Sequence, residues 1–89
     1  ALSQAYPNPF NPVTTISYRL LKADHITIDI YDMIGNKVRT LVSQNQNAGT
    51  KSYQWDATND LGYSVSAGMY IYTIQAGEFR QTKKMVLLK

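Results

Sequence analysis

Apolar residues in this chain recur two apart in run after run, and no stretch sustains the three-to-four spacing of an amphipathic helix. Between Thr14 and Leu20, Ile16, Tyr18 and Leu20 alternate with Thr15, Ser17 and Arg19; between His25 and Tyr31, Ile26, Ile28 and Ile30 alternate with Thr27, Asp29 and Tyr31. Successive side chains of a strand point to opposite faces, so each run offers one face to a core. Lys37 to Val42 reads as the hairpin partner of the run before it, because the connection through Asp32-Met33-Ile34-Gly35-Asn36 has the early Asp and late Gly of a type I turn. Thr50 to Asp56 sets Tyr53 and Trp55 on one face, and a brief strand is expected at Tyr63 to Val65. The last two runs, Met69 to Gln75 and Glu78 to Leu88, are parted by Ala76-Gly77, a hairpin signal because Gly takes the positive φ of a tight turn. Ser43 to Ala48 and Ala57 to Ser66 read as polar loops.

Six or seven short strands with turn signals about every 8 to 12 residues define an all-β chain, an antiparallel sandwich or barrel, and the sandwich is the favoured form. Helices are argued against by the density of β-branched and aromatic residues and by the lack of caps ahead of any apolar run. At 89 residues and 44% hydrophobic, the chain fits one small domain with one core. There is no cysteine, so neither a disulfide nor a thiolate metal site supports it. No apolar run approaches the length of a transmembrane helix, and no signal peptide opens the chain. Its first residue is Ala, and it reads as a piece of something longer.

Residues 1 to 12, ALSQAYPNPFNP, carry three prolines in six positions with asparagines between them. Proline removes backbone donors and extends the residue before it, so this segment reads as a stiff junction that holds off an upstream domain, or else as an unstructured linker. Tyr6 and Phe10 are its expected anchors, and the sandwich proper spans residues 13 to 89.

The net charge of +3 is unevenly placed. Arg80, Lys83, Lys84 and Lys89 fall in the last ten residues, which hold no acid, while the other 79 carry five basic and six acidic groups. So few cations on one terminal strand fit a solubilising edge better than a nucleic-acid surface, and no nucleic-acid partner is expected. The single histidine, His25, lies beside Asp24 at a strand start without a nucleophile motif near it. Asp56, Thr58 and Asp60 have the alternate spacing of calcium ligands, but Leu61 and Ala67 stand where an EF-hand loop needs Gly and Glu; a structural turn explains the same residues. Trp55 with Tyr53 suits either a sugar-stacking platform or a core, and a mid-strand Trp in a small sandwich is more often core. No catalytic constellation, cofactor motif or metal site emerges, so no enzyme is expected.

Taken together, Tyr6-Pro7-Asn8-Pro9-Phe10-Asn11-Pro12, Ile30-Tyr31-Asp32 with Gly35, Trp55-Asp56, Ser66-Ala67-Gly68-Met69-Tyr70-Ile71-Tyr72 and Lys83-Lys84-Met85-Val86-Leu87-Leu88-Lys89 resemble the type A C-terminal sorting domain of the type IX (Por) secretion system. The chain is also similar to the immunoglobulin-like domain of the flagellar hook-capping protein. The resemblance implies an Ig-like sandwich of about seven strands, with the G-x-Y-x-Y strand at Gly68, Tyr70 and Tyr72 in the core and the short terminal motif at Lys84 through Lys89. It implies a sorting signal for a secreted bacterial protein, which reaches the periplasm, is recognised by the outer-membrane translocon and ends outside the cell or on its surface. A sortase-like surface peptidase usually removes such a domain and joins the cargo to an anchor. The terminal strand, with Lys83, Lys84, Val86, Leu88 and Lys89, is the expected recognition surface. The competing readings are a retained spacer or cell-attachment sandwich, and a carbohydrate-binding accessory module of a secreted polysaccharide-degrading enzyme.

Overall fold

The computed structural model describes residues 2–88. Six strands form among them: β1 (Thr14–Leu20), β2 (Asp24–Tyr31), β3 (Lys37–Gln46), β4 (Gly49–Trp55), β5 (Gly68–Ala76) and β6 (Phe79–Leu87). The period-two runs give these strands their inner faces. Ile16, Tyr18 and Leu20 of β1, Ile26, Ile28 and Ile30 of β2, Tyr70, Tyr72 and Ile74 of β5 and Met85 and Leu87 of β6 are all buried. Two antiparallel sheets result, β1-β4 and β3-β2-β5-β6, and their inner faces share one core around the fully enclosed Trp55. Phe10 and Tyr70 pack on the indole at ring separations of 5.7 and 5.3 Å, the latter edge-on.

The expected all-β Ig-like antiparallel sandwich is the observed architecture, with six strands where about seven were anticipated. The difference lies at Tyr63 to Val65. That stretch makes only an isolated bridge, Thr58 to Ser64, because Asn59 folds the loop back on itself by accepting from the Leu61 and Tyr63 amides. β3 also runs to Gln46, through residues that read as a polar loop. There Gln46 is buried with its amide shared between two tyrosines: the Tyr18 hydroxyl donates to its Oε1, and its Nε2 donates to the Tyr53 hydroxyl at 2.7 Å. Polar side chains that find partners let a strand continue where apolar alternation has stopped. Burial pushes the Tyr18 phenol up to about 12.

The β5–β6 hairpin turns through Gly77 and Glu78, with Gly77 at φ 59° at the first central position, where a type II′ turn wants Gly. A Cβ there would stand 2.6 Å from Asp24 Oδ2, so the turn needs both the conformational freedom and the empty space.

Candidate functional site

Residues 2 to 10 form a strap across the open side of the sandwich. On one side Leu2 and Tyr6 bridge antiparallel to Tyr18 and Thr15 of β1; on the other, Phe10 bridges parallel to Leu87 of β6. The strap therefore joins the edge of the small sheet to the edge of the large one. Its prolines cannot donate to a ladder, and the side chain of Asn8 does so in their place. Asn8 Oδ1 accepts from the Val86 amide at 2.9 Å, while its Nδ2 donates to the Lys84 carbonyl at 3.4 Å. Gln4 Nε2 donates to the same carbonyl at 2.8 Å, and the Leu2 amide donates to Gln81 Oε1 at 3.2 Å. Backbone pairing resumes at Phe10, whose N–H donates to Val86 O and whose carbonyl accepts from the Leu88 amide.

The G-x-Y-x-Y strand holds this strap from inside. Tyr72, fully buried and opposite Lys83, accepts from the Ala5 amide at 2.7 Å and donates to the Ser3 carbonyl at 3.1 Å. Tyr70, opposite Met85, packs on Trp55 and donates to the Ser66 carbonyl at 2.5 Å. Burial raises both phenols above their ordinary value, and for Tyr70 the Asp32 carboxylate adds to the effect. Gly68, opposite Leu87, has φ 148° and is exposed.

On β6, Lys83 shares the inner side with Tyr72 and is half-buried, whereas Lys84 is exposed on the outer face opposite Ile71. Val86, half-buried beside the partly exposed Met69, and Leu88, half exposed, complete the described end of the strand; Lys89 lies outside the described residues. Among the described residues Arg80, Lys83 and Lys84 join no ion pair, since the salt bridges there are Lys37 to Asp29 and Arg39 to Asp56. The eight sorting residues expected from the sequence thus divide. Tyr70 and Tyr72 are core and strap supports, and the described residues of the terminal strand form a cationic end held in a fixed conformation.

Sequence reasoning missed Gln4 and Asn8 as the groups that set that conformation. For Asn8 the signal was an asparagine between prolines, where the backbone lacks donors and a side-chain amide supplies them; Gln4, ahead of the prolines, carried no such signal. Of the two expected anchors, Phe10 is buried, but the Tyr6 ring is 80% exposed and only its backbone pairs.

The other weak candidates resolve into turns and core. Asp56 accepts from the Thr58 hydroxyl, which holds its carboxyl below the ordinary value, and Arg39 Nη1 lies 3.5 Å away. Asp60 accepts from the Thr40 amide at 3.0 Å, and the Thr58 carbonyl takes the Trp55 indole N–H at 2.8 Å. His25 is exposed, with Nδ1 3.0 Å from Asn45 Oδ1.

The architecture and its strapped terminal hairpin define a small Ig-like β-sandwich module. The family model described as "Secretion system C-terminal sorting domain" matches residues 4–88. The chain belongs to this family, the C-terminal sorting domains of type IX secretion, whose role is sorting and not catalysis. Its members direct export to the cell surface or beyond, in contact with the secretion machinery and attached to an upstream cargo. Among solved structures it is similar to dimeric latent PorU from Porphyromonas gingivalis, at 21% identity and TM-score 0.73, over 96% of this chain and 9% of that one. PorZ, an essential surface component of the type IX secretion system of the same organism, aligns at 21% identity and TM-score 0.63, over 97% and 11%. The flagellar hook-capping protein FlgD from Xanthomonas campestris aligns at 23% and TM-score 0.67, over 96% and 64%. The chain thus spans about a tenth of the length of PorU and PorZ. No curated protein matches it.

Proposed function

We propose that the domain carries its parent through the type IX outer-membrane translocon by presenting the end of β6 as the recognised surface, with Lys83, Lys84, Val86, Leu88 and Lys89 as the residues read. The observation that carries this reading is the strap. Side-chain and backbone bonds from Gln4, Asn8 and Phe10 fix Lys84 to Leu88 in one conformation, and the neighbouring cations lack acid partners among the described residues. A preorganised charged surface loses little entropy when a translocon component binds it. Removal of the domain by a sortase-like peptidase, with transfer of the cargo to a surface anchor, completes the proposed route. Residues 1–12 then serve as the cargo junction, and 13–89 as the sorting body.

The test is export of a fluorescent passenger fused ahead of Ala1, in a bacterium with a type IX system and in its translocon-deficient mutant. Passenger outside the first and retained in the periplasm of the second is the expected result. The variant Lys84→Glu, on the exposed outer face, should fold normally and lose export. Unchanged export from that folded variant would overturn the assignment of the terminal strand. Retention of the folded wild-type fusion in both strains would favour a spacer or cell-attachment role. A carbohydrate-stacking role finds no platform at Trp55, which is fully buried.

A further inference from the structure

The strap's bonds to β1 determine which main-chain groups of the small sheet stay free. Thr15 exchanges N–H and C=O bonds with Tyr6, and the Ser17 carbonyl accepts from the Ser3 amide. Main-chain groups of successive strand residues point to opposite edges, so Thr14, Ile16, Tyr18 and Leu20 turn theirs to β4, where they meet Trp55, Tyr53, Lys51 and Gly49. Thr50, Ser52 and Gln54 therefore turn their N–H and C=O groups away from β1, on a side where β4 has no partner strand. Among the described residues, no loop or side chain bonds to those groups. The other outer edges are covered, at least in part. β1 and the terminal half of β6 carry the strap, and β3 carries Asp60, whose amide donates to the Val38 carbonyl and whose carboxylate accepts from the Thr40 amide.

Proline, a bulge or an outward charge would guard such an edge, and β4 has none of them: its register with β1 is unbroken, and Thr50, Ser52 and Gln54 are neutral and exposed. Its charge, Lys51, is half-buried on the inner side opposite Tyr18. A lysine so placed disfavours any incoming strand that sets an apolar or basic residue against it. A second copy of β4 sets neither. We propose that the chain self-associates through β4, antiparallel to its copy about a two-fold axis at Ser52. Ser52 then pairs with its own counterpart and Thr50 with Gln54, so every outward N–H and C=O group of those residues finds a partner. On the inner side Lys51 falls opposite Tyr53, whose ring lies parallel to Tyr18 at 6.2 Å and gives the ammonium an aromatic neighbour. The two-stranded sheets merge into one of four, β1-β4-β4-β1, equal in strand number to the other sheet. The strap and β6 lie on the far side of β1, so the pairing leaves the terminal strand uncovered.

One pair of strands buries less than the roughly 1,200 Å² of a standard interface, so the dimer is weak and is sought at high concentration. Sedimentation equilibrium between about 10 µM and about 1 mM chain should pass from monomer to dimer with no larger species, because a two-fold contact closes on itself. Over the same range the amide signals of Thr50, Ser52 and Gln54 should shift in NMR spectra, while those of Arg80 and Thr82 on β6 stay in place. Ser52→Lys and Ser52→Glu each put like charges face to face on the axis and should weaken the dimer about fivefold. An equimolar mixture of the two variants should pair at least as well as the wild type. Trp55 fluorescence under urea checks that both variants fold. A chain that stays monomeric at the highest concentration would overturn the proposal. So would charge variants that associate as the wild type does, since this would give the contact to another surface, such as the half-exposed Phe79. A mixture of the folded variants that pairs no better than either alone would overturn the register and the proposal with it. None of these readouts involves export, so this proposal and the sorting role fail separately.

Discussion

Replacing Tyr72 by phenylalanine removes one oxygen and leaves the ring in place, so it isolates what the strap draws from the core. That oxygen accepts from the Ala5 amide and donates to the Ser3 carbonyl. The two losses are unequal. Ala5 is 2% exposed, so its N–H loses its partner with no water to replace it, whereas Ser3 is exposed and its carbonyl can turn to solvent. An orphaned buried donor costs about 1–3 kcal/mol and a hydrogen bond that water can replace about 0.5 to 1, which places Tyr72→Phe near 2 kcal/mol, or about thirtyfold in the folding constant. The loss should be local before it is global. Hydrogen exchange at Ala5 and Phe10 should accelerate more than at Ile28 in the central strand, and urea unfolding read by Trp55 should shift by the amount above. A shift under about 0.5 kcal/mol with unchanged exchange at Ala5 would refute the claim that Tyr72 fastens the strap.

Tyr70→Ala, which opens a void beside Trp55 and frees the Ser66 carbonyl, should cost about 3–5 kcal/mol in the same unfolding assay. Gly77→Ala should destabilise by about 1–3 kcal/mol through its positive φ and the contact with Asp24, and adding Asp24→Ala should recover the contact part while leaving the backbone part. Stability should fall as pH rises from 10 to about 12, because Tyr18 ionises near 10 when unfolded and near 12 when folded, so the unfolded state loses its proton first. Tyr70 and Tyr72 shift in the same direction, and a urea midpoint that stays flat across that window would contradict the burial assigned to all three hydroxyls.

What the sequence makes legible here is whatever depends on apolar spacing. The alternations at Ile16, Tyr18 and Leu20, at Ile26, Ile28 and Ile30, and at Tyr70 and Tyr72 each face the core, and Trp55 sits in its middle. Less legible is whatever depends on a polar side chain meeting a distant partner. Gln46 carries β3 past its apolar stretch because Tyr18 and Tyr53 wait for it, yet 28 residues separate it from Tyr18. Asn8 lies 78 residues from Val86, and no local rule pairs them. Tyr6 and Phe10 looked alike as anchors, and only the strap's path, which turns Phe10 onto Trp55, separates them.

The same strap constrains how a partner can read the terminal strand. Edge strands invite pairing through their free N–H and C=O groups, and a strand-adding receptor would use the outward-facing groups of β6. Of those groups, the Lys84 carbonyl, the Val86 N–H and carbonyl and the Leu88 N–H are already bonded to Gln4, Asn8 and Phe10. No strap group reaches the main chain of Arg80 or Thr82 among the described residues, so strand addition without displacing the strap is confined to that half of β6. A receptor that engages the other half must read side chains, the Lys84 ammonium and the Val86 and Leu88 surfaces, or else peel away residues 4 to 10. Asn8→Ala separates these routes, since it removes two of the strap's bonds to the edge and leaves every terminal side chain in place. Export that survives or improves in Asn8→Ala points to strand addition. Export that falls in step with loosened Lys84 to Leu88 amides, measured by hydrogen exchange, points to side-chain reading of a preorganised surface.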